Sequence, residues 1–358
     1  MTGGGQAVRV LFDGHWLVSK GPISGRVVVR SFLGSWVEEF PQDEVVVAVP
    51  HDDVAAARAL VGEGVGVVAT RLRPHGVSCA LELPRLARRH GPFDVILVQN
   101  YTPLAGPAVT FVHDVLFQSN PQWFTPLERA YFAGMPVLAR RARAVLTSSR
   151  HEAERIRRHN PALATVEPIG LGLSTDLTDA EPEAVEGLDD FILSVGRLNV
   201  RKNLTATIEG TLASGVLSPR FPLVVVGEPE GRTAEHSPAV SAAIADGRVL
   251  FLGGVSDAQL AWLYGRARLF VYLSLDEGFG FPPLEALHFG CPVVVSDLPV
   301  FRETVADAGV LVPPSDRDAI AAAVAEAVRG PKPQVVPRDV AWRDVVHAAR
   351  TAVTAAIG

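Results

Sequence analysis

The stretch Asp276–Glu285, DEGFGFPPLE, is where residue types and spacing most suggest chemistry in this chain. It follows an apolar, strand-like run, LFVYLSL, and leads into a helical one, LEALHFG. Gly278 and Gly280 let the backbone approach a ligand closely or take positive φ. Pro282 and Pro283 suit a helix start, where amide donors go unpaired in any case. The amides near Leu284 and Glu285 are then expected to point at an anion, and a pyrophosphate fits such a place. Glu277 is expected in the loop, facing the crevice, and Glu285 in the first helical turn, so the two carboxylates do not share a helix face. A carboxylate at the second position can accept hydrogen bonds from a ribose diol. The competing reading is an ordinary strand–helix turn in which Glu285 complements the helix dipole, and a lone Gly-x-Gly would favour it.

A second cluster begins at Gly196. The segment GRLNVRKNL follows the apolar run Phe191–Val195, so Arg197 and Lys202 are expected near the C-terminal end of a buried strand, where α/β sheets bind ligands. Two cations there neutralise a diphosphate leaving group without a metal. The alternative is a solvated loop with Lys202 opening a helix. Arg201 is expected to face solvent or to pair structurally.

With Glu277, seven residues, Glu285, and then GCPVVVSDLPVFRETVADAGVLV, the chain resembles the retaining GT-B glycosyltransferases of family 4. GRLNVRKNL is similar to that family's Gly-Arg…Arg-Lys-Asn loop. The resemblance implies that Glu277 lies beside the donor sugar and Glu285 on the ribose. It puts Arg197 and Lys202 on the diphosphate, and Gly196, Gly278, Phe279, Gly280 and Leu284 around the nucleotide. FLGGV, with Gly254, resembles the loop whose backbone reads the base. GPISGR, Gly21–Arg26, resembles the glycine loop over the donor phosphates; Ser24 stands where a Gly is common, and Gly25 keeps the helix entry. His113, after the run Thr110–Val112, would contact the donor sugar, with Asp114 orienting the imidazole or capping a helix. The implied reaction moves a hexose or deoxyhexose from a UDP, GDP or dTDP sugar to a hydroxyl of a small molecule, glycolipid or saccharide. No metal and no further cofactor is expected. The alternatives are a non-catalytic nucleotide-sugar-binding partner of another transferase and a GT-B nucleotide-sugar epimerase.

The elements that must position these residues are legible as alternation. Short apolar runs recur at Val8–Phe12, Val45–Val49, Val65–Val68, Val95–Val98, Thr110–Val112 and Val145–Thr147, then from Phe191–Val195 through Leu223–Val226, Val249–Leu252, Leu269–Leu273, Pro292–Val295 and Val310–Val312. Continuous rather than alternating apolar runs imply strands covered on both faces. Amphipathic stretches lie between them at Pro126–Arg143, Arg150–His159, Asp257–Arg266 and Arg317–Arg329. The fold expected is α/β, with two Rossmann-like domains of parallel strands. The GT-B resemblance adds that they face each other across a cleft and that a C-terminal helix crosses back to the first. The acceptor domain is set at residues 1–178 plus 340–358, and the nucleotide-sugar domain at 188–335. Asp176–Asp190, acidic and aperiodic, forms the break, and Pro331–Pro337 a second interruption.

Bulk properties exclude several classes. The 358 residues are too many for one ordinary core, and 48% apolar with 20% charged is globular composition. No apolar run approaches the ~18 residues of a membrane span, and MTGGGQAVRV lacks the pattern of a secretory signal, so a cytoplasmic protein is expected. Residues 1–180 hold 18 basic and 17 acidic side chains and residues 181–358 hold 15 and 22, so phosphate binding in the second half must be local. An acidic chain without a basic stripe is a poor nucleic-acid binder. The clusters Arg85, Arg88, Arg89 and Arg140, Arg141, Arg143 are read as solvated faces, with membrane contact as the lesser alternative. Cys79 and Cys291 are expected as reduced thiols.

Overall fold

A computed structural model describes residues 6–18, 23–163, 165–197, 199–228, 237–330 and 340–358. Gly21 and Pro22 of the proposed glycine loop, and the interruption Pro331–Pro337, lie outside the described residues. The chain divides into two compact units, Met1–Ser174 with Val340–Gly358, and Thr175–Asp339.

The first unit holds a sheet built from β1 (Arg9–Asp13), β2 (Glu44–Pro50), β3 (Gly66–Thr70), β4 (Val95–Gln99), β5 (Ala108–Val112), β6 (Ala144–Thr147) and β7 (Val166–Pro168). All pair in parallel in the order β3-β2-β1-β4-β5-β6-β7. Successive residues of β4 and β5 are all buried, so both faces of the sheet are covered. On one face Leu11, Ile96 and Val98 pack with Leu83, Met135 and Ile156. On the other, Phe12 meets Phe32 of the helix Ile23–Glu39, ring centroids 5.8 Å apart.

The helix Trp342–Ile357 closes this unit. Trp342 packs edge-on against Phe32 at 6.2 Å and donates its indole N–H to Leu173 O at 2.8 Å. Arg350 reaches both oxygens of Asp43 at 2.9 Å. That carboxylate, with no side-chain exposure, also accepts from the amide of Val8 and the indole of Trp36. A buried anion with this many donors ties the last helix to β1 and to the helix Ile23–Glu39.

The second unit repeats the plan with β8 (Ile192–Val195), β9 (Leu223–Val226), β10 (Val249–Gly253), β11 (Leu269–Tyr272), β12 (Val293–Ser296) and β13 (Val310–Val312). The order is β10-β9-β8-β11-β12-β13, again parallel. In both sheets the order reverses beside the first strand, at β1/β4 and at β8/β11. Sheets of this kind bind ligands at such reversals, beyond the carboxyl ends of the strands. Both cysteines are buried and free, all six clustered arginines are exposed, and among the described residues no helix is long and apolar enough to cross a membrane.

Candidate active site

In the second unit the chain leaves β11 through Tyr272 and reaches the helix Phe281–His288 by a loop anchored at three points. Ser296 Oγ donates to Ser274 O at 2.6 Å, the Leu275 amide to Arg201 O at 2.8 Å, and the Glu277 amide to Asp276 Oδ1 at 2.8 Å. Gly280, at φ +86°, supplies the helix N-cap; a Cβ there would lie 2.3 Å from the Phe301 ring. Glycine is required at that point on both counts.

The loop delivers Glu277 into a nest of donors. Its Oε1 accepts from Lys202 Nζ at 2.7 Å and from Tyr272 Oη at 2.8 Å, and its Oε2 from Arg201 Nη1 at 2.7 Å. Lys202 ends a short 3-10 turn, Val200–Lys202, that Asn199 caps by accepting the Lys202 amide; its ammonium also donates to Tyr272 Oη. Gly196, just past β8, lies where a Cβ would be 3.5 Å from the Tyr272 ring. Burial pushes the Glu277 carboxyl up, but Arg201 and then Lys202 outweigh it and bring it down to about 2. Burial draws Lys202 down to about 8, with the charge of Arg201 adding to the pull, then that of Arg197, while Glu277 opposes them. Arg197 is half-buried, two residues beyond β8.

Two expectations need correction. Glu277 does not stand open toward a crevice: it is 5% exposed and satisfied by three side chains. Because the helix starts at Phe281, the amides of Leu284 and Glu285 fall inside its hydrogen-bonded ladder, and Glu285 belongs to the second turn. With Pro282 and Pro283 lacking N–H, the first-turn amide donors of this helix are those of Gly280 and Phe281, not those of Leu284 and Glu285. Leu284 is a packed side chain, 2% exposed, and Phe279 packs edge-on against Phe281 at 5.2 Å.

Glu285 Oε2 accepts from Tyr264 Oη at 2.7 Å. Burial raises its pKa to about 7, against the lowering effect of that hydrogen bond. Gly254 follows β10 beside Glu228, whose Oε1 would be 3.3 Å from a Cβ at that position.

In the first unit His113 follows β5, with its amide donating to Asn100 Oδ1 at 3.1 Å. Its ring packs against Phe111 at 5.0 Å and Trp16 at 5.8 Å. His113 Nε2 is buried without a hydrogen-bond partner among the described residues. Burial, then the charge of His75, lowers its pKa to about 4, so the imidazole is neutral. Gly25 lies in the first turn of the helix Ile23–Glu39, where a Cβ would be 2.9 Å from the Trp16 ring. Its smallness therefore makes room for Trp16.

Sequence reasoning missed Tyr272 and Tyr264 and gave Arg201 no site role. The tyrosines look like core aromatics, and only their hydroxyls, each bonded to a glutamate, distinguish them.

Residues 178–339 match the family model described as Glycosyl transferases group 1, and residues 32–177 the one described as Glycosyltransferase Family 4. The O-antigen chain mannosyltransferase B of Escherichia coli is 31% identical over 257 residues, 67% of this chain and 64% of that protein. The O-antigen chain mannosyltransferase RfbU of Salmonella typhimurium is 36% identical over 129 residues, 36% of this chain and 35% of its own. The chain thus spans less than two thirds of the length of these relatives. A GDP-mannose:cellobiosyl-diphosphopolyprenol alpha-mannosyltransferase of Komagataeibacter xylinus is 27% identical over 84% of this chain and 78% of that protein. Among solved structures, the sucrose-phosphate synthase of Thermosynechococcus elongatus superposes with a TM-score of 0.62 at 19% identity, covering 98% of this chain and 95% of that one. Anabaena HepE, solved with UDP and glucose, gives 0.61 at 17% identity, covering 98% and 94%. The chain therefore has the GT-B fold, and residues 178–339 and 32–177 are each matched by a glycosyltransferase family model.

Proposed function

We propose that this protein is a retaining glycosyltransferase of family 4 that moves mannose or a related hexose from a nucleoside-diphosphate sugar to an acceptor hydroxyl, with no metal on the diphosphate. The observation that carries the reading is the Lys202–Glu277–Arg201 group beside the Gly278–Gly280 loop, at the β8/β11 reversal. A buried ammonium held by a carboxylate and a phenol has its position fixed before substrate arrives, so it stabilises charge on a departing diphosphate at little reorganisation cost. Arg197 adds a second positive charge, and the amides at Gly280 and Phe281 offer further donors. Glu285 accepts from the ribose. His113, neutral and with an unpartnered Nε2, takes the sugar-contact role. The acceptor attacks from the face the nucleotide leaves, and the departing phosphate takes its proton. The mannosyltransferases among the relatives favour mannose, and the name of one of them makes GDP-mannose the first donor to test. A cytoplasmic place of action belongs to the same proposal.

Mass spectrometry of the pure protein with GDP-mannose, UDP-glucose and a dTDP-deoxyhexose tests it. Slow release of nucleoside diphosphate and free sugar from one donor, lost in Lys202→Ala, is expected. Binding of a donor with no turnover in the presence or absence of acceptors would make the protein a nucleotide-sugar-binding partner instead.

A further inference from the structure

Away from the residues assigned above, one set of His, Cys and carboxylate side chains among the described residues converges on a point. Asp13 ends β1, while His75 and Cys79 lie one turn apart on a helical segment that widens into a π-turn over Ser78–Glu82. All three are buried, at 3%, 6% and 1% exposure. His75 Nε2 is 2.8 Å from Asp13 Oδ2 and 3.1 Å from Cys79 Sγ, and the thiol donates to the same Oδ2 at 3.5 Å.

One imidazole nitrogen therefore serves both neighbours. In a relay that activates a cysteine, thiol and carboxylate take opposite ring nitrogens. Convergence of three different donors on one point is the geometry of a metal centre.

We propose that Asp13, His75 and Cys79 bind one zinc-type divalent cation in the first unit. Imidazole, thiolate and carboxylate are each ligands that zinc takes, and a water would complete the tetrahedron at the open fourth position. Around such an ion the N···O, N···S and O···S separations would be ~3.3, ~3.6 and ~3.5 Å. Starting from 2.8, 3.1 and 3.5 Å, the cluster reaches them by movements of about half an ångström or less. Two anionic ligands balance the charge of the cation, so the buried centre is neutral.

The surroundings hold the ligands as outer contacts of metal sites do. The Gln99 amide donates to Asp13 Oδ2 at 3.2 Å and the His15 amide to Oδ1 at 3.2 Å. His75 stacks on His15 at 4.3 Å and meets Tyr101 edge-on at 5.8 Å. Gly76 makes the latter contact possible, since a Cβ there would lie 2.9 Å from the Tyr101 ring. The place is also significant: Asp13 and Gln99 end β1 and β4, the two strands at which the sheet order reverses. A cation here would fix the floor on which Trp16, 4.9 Å from His75, is laid.

The test uses the tag-free full chain, stripped with a chelator and titrated with Zn²⁺ or Co²⁺. One equivalent is expected to bind by equilibrium dialysis, and the Co²⁺ form should show thiolate-to-metal charge-transfer absorption. Cys79→Ser should abolish that band and weaken Zn²⁺ binding by at least about tenfold. Cys291→Ser, altering the other buried thiol, should leave both intact. His75→Gln, checked for folding by circular dichroism, should weaken binding like Cys79→Ser. Binding well below one equivalent, or a band that survives Cys79→Ser, overturns the assignment.

Discussion

On the proposed reading, the Glu285 carboxylate accepts hydrogen bonds from the donor ribose, and its surroundings make that contact titrate near neutrality. Burial lifts its pKa to about 7, against the Tyr264 hydrogen bond. With only the ionised form competent, apparent affinity scales with the ionised fraction. That fraction is about 0.1 at pH 6 and about 0.9 at pH 8, so affinity for GDP falls about tenfold, or ~1.4 kcal/mol, on acidification. Glu285→Gln removes the titration and exchanges a charged acceptor for a neutral one, a loss of roughly 1.5–3 kcal/mol at pH 8. The diphosphate also titrates in this range, but equally for both proteins, so it cancels in the ratio of their Kd values. Calorimetry with GDP should find that ratio (variant over parent) rising about tenfold from pH 6 to pH 8. A ratio independent of pH refutes the argument. The free protein offers a second check. A carboxyl whose folded pKa lies above its ordinary 4.5 contributes stability that is complete below that value and lost as pH rises through about 7. The loss is on the order of 3 kcal/mol, and Glu285→Gln should flatten it in urea denaturation.

Four further outcomes are expected. Lys202→Ala should lower kcat by about 100-fold or more while changing the donor Kd less than about tenfold, measured by steady-state kinetics and calorimetry; equal losses in both would assign Lys202 to uniform binding. Glu277→Gln takes away the charge that holds Lys202 up at about 8, so the kcat–pH profile should drop off at lower pH than in the parent; a parallel drop at all pH values speaks against this. Gly280→Ala, forced to positive φ and against Phe301, should cost about 2–4 kcal/mol in thermal or urea unfolding, whereas Gly254→Ala, meeting only the end of the Glu228 side chain, should leave stability within about 0.5 kcal/mol. Asp43→Ala strands the largely buried Arg350 and should destabilise the chain by about 3–5 kcal/mol in urea; a loss under ~1 kcal/mol would mean that the last helix is anchored otherwise.

Most of the strands were legible because nearly every one is a continuous apolar run. The exception is β7, Val166–Pro168, a short edge strand in which Glu167 and Pro168 are exposed and only Val166 is buried. Pro126–Arg143 reads as one amphipathic stretch but folds as two helices, Pro126–Phe132 and Gly134–Ala139. Pro136, with no N–H to return to the preceding turn, and Gly134 account for the break. The site was legible as a list of polar residues on strand ends and illegible as a network. Lys202 and Glu277 are 75 positions apart, and only the parallel pairing of β8 with β11 brings their loops together. Asp13 is 62 positions from His75, and their meeting depends on where the segment after β3 returns to the sheet.

Glu277 and Glu285 are the same residue type, eight positions apart, and the fold moves their pKa values in opposite directions. Glu277 lies among two cations and a phenol and stays charged; Glu285 has the Tyr264 hydroxyl as its hydrogen-bond donor and titrates near neutrality. The difference decides what Glu277 does. The Lys202 ammonium has three N–H donors, of which Glu277 and Tyr272 take two, leaving one for a phosphate oxygen. Burial has already drawn the Lys202 pKa to about 8 with Glu277 in place. Without that carboxylate the ammonium would lose its proton at lower pH, and a neutral amine cannot stabilise a departing diphosphate. On the proposed reading Glu277 serves the transfer without having to touch the sugar: it keeps Lys202 charged and aims its remaining N–H. On the same reading, an acidic half of the chain binds a diphosphate through local charge, chiefly an ammonium whose position and protonation are set by the carboxylate beside it.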